Sequence, residues 1–441
     1  MKTMTNILLG LLLAATVGCS GNKAESNAAP DNLTGKSAQT ATEQNSIPVE
    51  ASVMPGIEVL AEENFAPLKG KRVGLITNPT GIDNSLKSTI DILHEAPGVQ
   101  LTALFAPEHG VRGDYVAGAA VANEVDAKTG VKVYSLHGRT KKPTAEMLKN
   151  IDVLVYDIQD IGCRSYTFIS TMGKAMEAAA ENGKEFMVLD RPNPLGGNKV
   201  EGCVVEKGCF SFVSQYPIPY IYGLTPGELA RLLNDEGMLS GGVKANLTVI
   251  PMKGWKRSMT FRATGMPWVL PSPHIPTPET AMLYPATGIM GELDYVSIGV
   301  GYTLPFKLTG ATWINAPKLA DNLNGLNIPG VRFRPIHYKP FYALYKGENL
   351  NGVEVYITDS ERAPLSLIQF YIMQELAVMN PAKKAFASAT QARLGMFDKV
   401  TGSTQIRQLF GKAYKVADME GYWNKDVESW KKTKAKYELY K

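Results

Sequence analysis

The stretch IDVLVYD at residues 151–157 decides the fold class of this chain. It is a nearly continuous apolar run, rich in β-branched residues, and a helical stretch follows it at residues 168–182. Comparable apolar runs lie at residues 72–77, 99–105, 131–135, 186–190 and 247–251, and helix-forming stretches separate several of them. Strands of this kind, separated by helices, indicate a parallel sheet that is covered on both faces. The sequence therefore predicts an α/β fold.

The chain changes character after residue 306. Residues 331–335 and 352–358 have the pattern of strands, residues 365–379 that of an amphipathic helix, and residues 420–441 are predicted to contain a last helix. This mixture predicts a smaller α+β domain. We therefore expect one domain at residues 53–306, which carries the parallel sheet, and a second at residues 307–441.

The first residues have the layout of a secretory signal. An apolar run at residues 7–15 is too short to span a bilayer comfortably, and it leads to the segment TVGC, which ends at Cys19. A small residue directly before a cysteine resembles a bacterial lipobox. We therefore predict a lipoprotein signal peptide at residues 1–19, acylation of Cys19 and a flexible polar tether at residues 20–52.

Such an anchor would hold the protein by lipid alone on the non-cytoplasmic side of a membrane, in the periplasm, at the outer membrane or at the cell surface. The alternative is that Cys19 is an ordinary cysteine near a different cleavage site. An exported chain meets oxidising conditions, so Cys203 and Cys209 are either a disulfide pair or two free thiols.

Composition excludes several classes of function. The chain has 46 Lys and Arg against 42 Asp and Glu, a net charge of +4, and no basic run that could follow a phosphate backbone, so we expect no nucleic-acid partner. Its five histidines are scattered, and no Cys/His cluster has zinc-ligand spacing, so we predict no metal. No G-x-G-x-x-G follows the first strand and no nucleophile elbow is present, which argues against a dinucleotide site and against serine hydrolysis.

Polar clusters follow four of the predicted strands. They contain Asn78, then Glu108 and His109, then Asp157 and Asp160, and finally Asp190, Arg191 and Asn193. Ligands of open parallel sheets bind beyond the carboxyl ends of the strands, so we expect these clusters to meet at one edge. Carboxyl groups that share a cleft acquire different pKa values, so one can stay protonated while another stays ionised. A protonated carboxyl group can act as the general acid of glycoside cleavage. We predict Glu108, Asp157 and Asp160 as catalytic groups.

The remaining candidates are predicted to bind substrate. They are Asn78, His109, Arg164, Tyr166, Asp190, Arg191, Asn193, and two residues of the proline-rich loop 270–277, Ser272 and His274. Arginines suit a substrate carboxylate, and a tyrosine offers a hydroxyl or a stacking face. Structural alternatives stay open: Asp157 caps the next segment or holds Arg164, Asp160 is a turn residue, and Asp190 pairs with Arg191 or orients the proline-rich loop. Each of the two arginines could also form a structural ion pair, and Tyr166 could belong to the core.

Seven segments resemble the NamZ-type exo-β-N-acetylmuramidases, a glycoside hydrolase family first catalogued as a domain of unknown function. They lie, in family order, at residues 74–81, 106–110, 134–138, 157–167, 189–194, 223–230 and 271–277. The resemblance implies a Rossmann-like catalytic domain beside a smaller C-terminal domain. It also implies removal of terminal β-linked N-acetylmuramic acid from the non-reducing end of peptidoglycan fragments during cell-wall recycling. Glu108 matches the family's proposed catalytic glutamate, and no cofactor is implied.

The sequence departs from this family at three positions. Ile298 and Val300 stand where the resemblance leads us to expect Glu and Arg, and His274 replaces a usual Asn. The alternative function is therefore a catalytically weak lipoprotein that binds sugar or cell-wall fragments. A metal-dependent amidase using Asp157 and Asp160 is disfavoured because histidine ligands are missing.

Overall fold

A computed structural model describes residues 53–113 and 124–441. The predicted signal peptide with Cys19 and the predicted tether lie outside the described residues. The described residues belong to one compact unit. None of the helices within these ranges combines the length and the apolar character that a bilayer crossing requires.

A seven-stranded sheet forms the first part of the described chain. Its strands are β1 (Arg72–Thr77), β2 (Gln100–Ala106), β3 (Glu124–Val125), β4 (Lys132–Ser135), β5 (Val153–Asp157), β6 (Glu185–Leu189) and β7 (Asn246–Ile250). The order is β3-β4-β2-β1-β5-β6-β7, and every neighbouring pair is parallel except the antiparallel pair of β3 and β4 at one edge. The predicted α/β class with a mostly parallel sheet is confirmed.

Helices on both faces explain why the strands are apolar throughout. They are α1 (Gly56–Glu62), α2 (Thr89–Glu95), α3 (Ala145–Leu148), α4 (Phe168–Glu181) and α5 (Pro226–Asp235). Along β5, Val153 and Val155 join one hydrophobic core, whereas Leu154 and Tyr156 join the core on the opposite face. Because alternate residues of a strand point to opposite faces, a strand that is covered on both sides needs apolar residues at every position.

The order of the strands creates a switch point between β1 and β5. From β1 the chain moves outward through β2 and β4, and it then returns to add β5, β6 and β7 on the other side of β1. Thr77 and Asp157, the last residues of β1 and β5, lie opposite each other in register. Loops diverge at such a point and leave a crevice beyond the carboxyl ends of the strands.

The C-terminal part is built on a small antiparallel sheet of β8 (Leu308–Ala311), β10 (Leu350–Ile357) and β9 (Val331–Tyr338), in that order. Its helices are α6 (Pro278–Gly291), α7 (Ala316–Gly325), α8 (Ile368–Met379), α9 (Ala385–Ser388), α10 (Gln391–Thr401), α11 (Thr404–Ala413), α12 (Glu420–Trp423) and α13 (Val427–Lys434). The predicted last helix is thus two short helices. α6 precedes the predicted domain boundary at residue 306 but packs against α8, and the boundary itself stays a prediction.

Candidate active site

Asp157 and Arg191 form a buried ion pair below the carboxyl edge of the sheet. The Arg191 guanidinium donates to both Asp157 carboxylate oxygens, Nε–Oδ1 at 2.5 Å and Nη2–Oδ2 at 2.9 Å, and Nη2 also donates to the Ile82 carbonyl. The Thr89 hydroxyl donates to Asp157 Oδ2. Both ionic side chains are buried. The structure therefore joins these two predicted site residues to each other, and Asp157 holds Arg191 rather than Arg164.

Arg164 is buried without a carboxylate partner among the described residues. Its guanidinium donates to the carbonyls of Cys203, Ile218 and Val400 and to the Ser214 hydroxyl. Burial lowers the pKa of Arg164. Since Val400 belongs to α10, this side chain fastens the C-terminal helices to the loop after β5.

Asp190 is likewise surrounded by donors from the protein. Its carboxylate accepts hydrogen bonds from the Arg191 and Gly227 backbone N–H groups, the Thr225 hydroxyl and the Tyr440 hydroxyl. Burial raises the pKa of Asp190 to about 7. The carboxyl therefore joins the end of β6 to the start of α5 and to the C-terminus. From Arg191 it accepts only the backbone N–H, so the ion pair that was one structural alternative does not form.

A second group of rim residues keeps unused hydrogen-bonding atoms. The buried atoms Asn78 Nδ2, Gln159 Oε1 and Asp160 Oδ1 have no hydrogen-bond partner among the described residues. The other oxygen of Asp160 accepts from the Tyr222 hydroxyl and the Gly162 N–H, and burial raises the pKa of Asp160 to about 6. Buried polar atoms are almost always paired, so these three atoms are candidates to bind a water molecule or a ligand.

Asn193 differs from that group because both ends of its amide are used. Its oxygen accepts from the Leu195 N–H, and its nitrogen donates to the Leu224 carbonyl. The amide thus shapes the loop after β6.

A cavity of about 240 Å³ brings five predicted site residues together. Its lining consists of Glu108, His109, Ser165, Tyr166, Thr167, Phe168, Val213, Ser272, His274, Ile275, Tyr284 and Phe306. Five of these residues, Glu108, His109, Tyr166, Ser272 and His274, were predicted from the sequence. The other predicted side chains, Asn78, Asp157, Asp160, Arg164, Asp190, Arg191 and Asn193, do not line it.

The turn after β2 directs Glu108 toward this cavity. His109 has a φ of 77° and Gly110 a φ of 80°, so two successive residues adopt the left-handed region. Such a conformation costs a non-glycine residue about 1–3 kcal/mol and is concentrated at functional sites. Glu108 is partly exposed, whereas His109 beside it is buried. The turn therefore holds a carboxyl group at the cavity wall.

Aromatic rings also line the cavity. Tyr166 makes edge contacts with Phe168 and Tyr284, and the Tyr284 hydroxyl shares a hydrogen bond of 3.1 Å with Ser165 Oγ. Burial and the neighbouring His109 lower the pKa of His274, which favours its neutral form. A cavity lined by one carboxyl group, hydroxyls, an imidazole and aromatic rings suits a polar ligand with an apolar face, such as a sugar.

Comparison with known proteins agrees with this arrangement. The family model described as "Exo-beta-N-acetylmuramidase NamZ, N-terminal" matches residues 73–279, and the corresponding C-terminal model matches residues 282–440. The chain belongs to the NamZ family. It is 44% identical over 439 residues to the peptidoglycan β-N-acetylmuramidase NamZ of Bacillus subtilis, with 100% of both chains covered.

Two crystal structures of DUF1343 family proteins from Bacteroides fragilis share the fold. One is 60% identical with a TM-score of 0.85, and the match covers 88% of this chain and 99% of that one. The other is 29% identical with a TM-score of 0.71, and the match covers 89% of this chain and 99% of that one.

A second cavity of about 320 Å³ adjoins the first in this NamZ family chain, because Tyr284 and Phe306 line both. Ile298 and Val300, the two positions where Glu and Arg were expected, lie on its wall. Its charged lining includes Asp294, which pairs with Arg393 of α10. The departure from the family pattern is therefore located beside the cavity that contains Glu108.

Tyr284 and Phe306 are wall residues that the sequence reasoning missed. Tyr284 lies on α6 and Phe306 at the predicted domain boundary. An aromatic residue on a helix or loop gives no pattern that separates a site wall from a core. In the described part of the chain, Cys163, Cys203 and Cys209 are buried free thiols, so Cys203 and Cys209 are not paired. No group of three or more His, Cys, Asp or Glu in that part is arranged to hold a metal ion.

Proposed function

We propose that this protein is an exo-acting glycoside hydrolase that releases terminal β-linked N-acetylmuramic acid from the non-reducing end of peptidoglycan fragments. The observation that carries the proposal is the position of Glu108, on a left-handed turn at the wall of a partly aromatic cavity. The NamZ family models and the full-length relative from Bacillus subtilis support the reaction class.

In this proposal Glu108 protonates the glycosidic oxygen as its bond to the anomeric carbon breaks. Water then supplies the hydroxyl group that the anomeric carbon gains and the proton that restores the acid. A general acid must lie within hydrogen-bond reach of that oxygen, and a fixed turn provides such positioning. Asp160 is buried and does not line the cavity, so we assign it no contact with the substrate. The ring hydroxyls of the sugar would meet Ser272 and His274, and its apolar face would meet Tyr166.

The proposal is tested by incubating the purified protein with a synthetic β-muramide and measuring the released product. Glu108→Gln keeps the shape of the side chain and removes the acid, so we expect a loss of about 10²–10⁴ in rate with an unchanged thermal unfolding curve. Glu63→Gln, at an exposed carboxyl outside the cavity, is the matched control. Near-normal turnover by folded Glu108→Gln protein would remove Glu108 from the mechanism.

A second candidate function is binding of sugar or cell-wall fragments with weak or no turnover. The observation that favours it is the apolar wall formed by Ile298 and Val300 beside the Glu108 cavity. Titration with N-acetylmuramic acid and a turnover assay on the same preparation separate the two functions. Saturable binding without product would favour the second.

We also propose that the chain is anchored through acylated Cys19 on the non-cytoplasmic side of a membrane. The support is the apolar run at residues 7–15 and the small residue before Cys19. Fractionation of cells that express wild-type or Cys19→Ala protein tests the anchor. Equal, firm membrane association of the two would contradict it.

A further inference from the structure

Two aromatic rings are exposed on the loop between β9 and β10. The side chains of Phe341 and Tyr342 are 64% and 49% exposed. Burial of such rings is favourable, so two adjacent rings held in solvent are a candidate binding surface.

The loop that carries these rings is fixed by close contacts. The Phe341 N–H donates to the Gly301 carbonyl at 2.7 Å, and the Gly347 N–H donates to the Pro340 carbonyl at 2.9 Å. Gly301 has a φ of 94°, and a Cβ placed there would lie 2.0 Å from the Tyr342 carbonyl oxygen. Ala343 is held in the left-handed region at a φ of 62°. The protein therefore keeps the two rings exposed although the backbone conformation of this loop is unfavourable.

The exposed rings continue the wall of the Glu108 cavity. The Tyr342 hydroxyl lies 3.0 Å from His274 Nε2, and the two ring planes differ by only 26° with their centres 6.1 Å apart. The Phe341 ring stacks on Tyr302 at 25°, with the ring centres 5.6 Å apart. Because His274 lines the cavity, a surface formed by Phe341, Tyr342 and Tyr302 adjoins the cavity wall. We call this surface the aromatic platform.

The chemistry of the platform points to a sugar ring. One face of a pyranose presents C–H groups with partial positive charge, and these are attracted to the negative face of an aromatic ring. An exo-acting enzyme holds one terminal sugar in its cavity, so the next sugar of the glycan must lie at the mouth. We infer that the aromatic platform is the subsite for the hexosamine on the leaving-group side of the scissile bond. This inference rests on the proposed function and identifies the part of the substrate that the loop contacts.

The test compares two substrates that share the terminal muramic acid. One is the disaccharide with an N-acetylglucosamine leaving group, and the other is a muramide with a methyl leaving group. We expect Phe341→Ala to lower the ratio of kcat/KM for the disaccharide to that for the methyl glycoside about tenfold, mainly through the KM of the disaccharide. Phe341→Tyr should restore the ratio because it restores the ring.

Tyr356→Ala is the control, since Tyr356 is an exposed aromatic residue near the opposite end of β10. It should leave the ratio unchanged. An unchanged ratio in folded Phe341→Ala protein, or an equal loss with both substrates, would overturn the inference. If wild-type protein cleaves neither substrate, the proposed function fails. Titration with the disaccharide then tests whether the aromatic platform binds sugar, and equal Kd values for wild-type and Phe341→Ala protein would refute that binding.

Discussion

Replacing Arg191 with methionine should destabilise the fold. The sequence suggested that Arg191 binds substrate, but its guanidinium donates to both oxygens of Asp157 and to the Ile82 carbonyl inside the protein. The two ionic side chains are 2% and 0% exposed. Arg191→Met would leave the Asp157 carboxylate buried with the Thr89 hydroxyl as its remaining side-chain donor.

The expected loss of stability follows from the burial of this ion pair. Removing one partner of a buried ion pair typically costs about 3–5 kcal/mol, because the remaining charge is kept from water without compensation. That is a large share of the roughly 5–15 kcal/mol by which folded domains are stable. Combining Arg191→Met with Asp157→Asn also removes the stranded charge. The double variant should therefore lose less stability than the sum of the two single losses.

The chain contains a matched control for this prediction. Arg72 donates to both oxygens of Asp152 in the same two-bond geometry, at 3.0 and 2.6 Å, but these side chains are 41% and 38% exposed. Water solvates either group when its partner is removed, so exposed pairs contribute little to stability. Arg72→Met should therefore shift the unfolding midpoint much less than Arg191→Met.

Urea denaturation followed by tryptophan fluorescence measures the free energy of unfolding of each variant, and KM for a β-muramide is measured on the same preparations. We expect a large loss of stability for Arg191→Met. An unchanged midpoint together with a raised KM would refute the structural interpretation and return Arg191 to substrate binding.

Three further predictions concern stability and specificity. The folded protein holds the Asp160 proton up to a pKa of about 6, while the usual value is 3.8, so this group lowers the free energy of unfolding as pH rises between those values. Asp160→Asn should reduce that decline when urea unfolding is compared at about pH 4.5, inside this window, and at about pH 6.5, just above it. An identical change in the free energy of unfolding between the two pH values for both proteins would contradict the assignment. Tyr440→Phe removes a donor to buried Asp190 and should cost about 1–3 kcal/mol in the same assay, whereas an unshifted midpoint would count against that contact. Ile298→Glu combined with Val300→Arg should increase the preference for a muramide over the glucosaminide in kcat/KM, since a cation would face the carboxylate that only the muramide carries; no increase would show that Val300 does not lie at the carboxylate.

Much of the fold was predictable because it depends on local pattern. Continuous apolar runs predicted the central strands, and the helical stretch predicted at residues 168–182 is α4 (Phe168–Glu181) in the structure. The turn at Glu108 also has a local cause, because a proline before it and a glycine after His109 favour a tight, fixed conformation.

The site was predictable only in part. Polar residues do follow the strands at one edge of the sheet, but some face a cavity and others are enclosed. Arg164 bonds to Val400, which is 236 residues away, and Asp190 bonds to Tyr440, which is 250 residues away. No local pattern contains such partners.

The sequence by itself determined the sheet, its helices and the candidates at its edge, since period and turn chemistry act over a few residues. Only the tertiary structure decided that Glu108 lines a cavity with His274 and Tyr284, and that Asp157 and Arg191 hold each other inside the protein. The physical reason is that a carboxylate or a guanidinium has the same hydrogen-bonding capacity whether its partner is a ligand or the protein. Which partner it meets depends on the packing of segments that lie far apart in the chain.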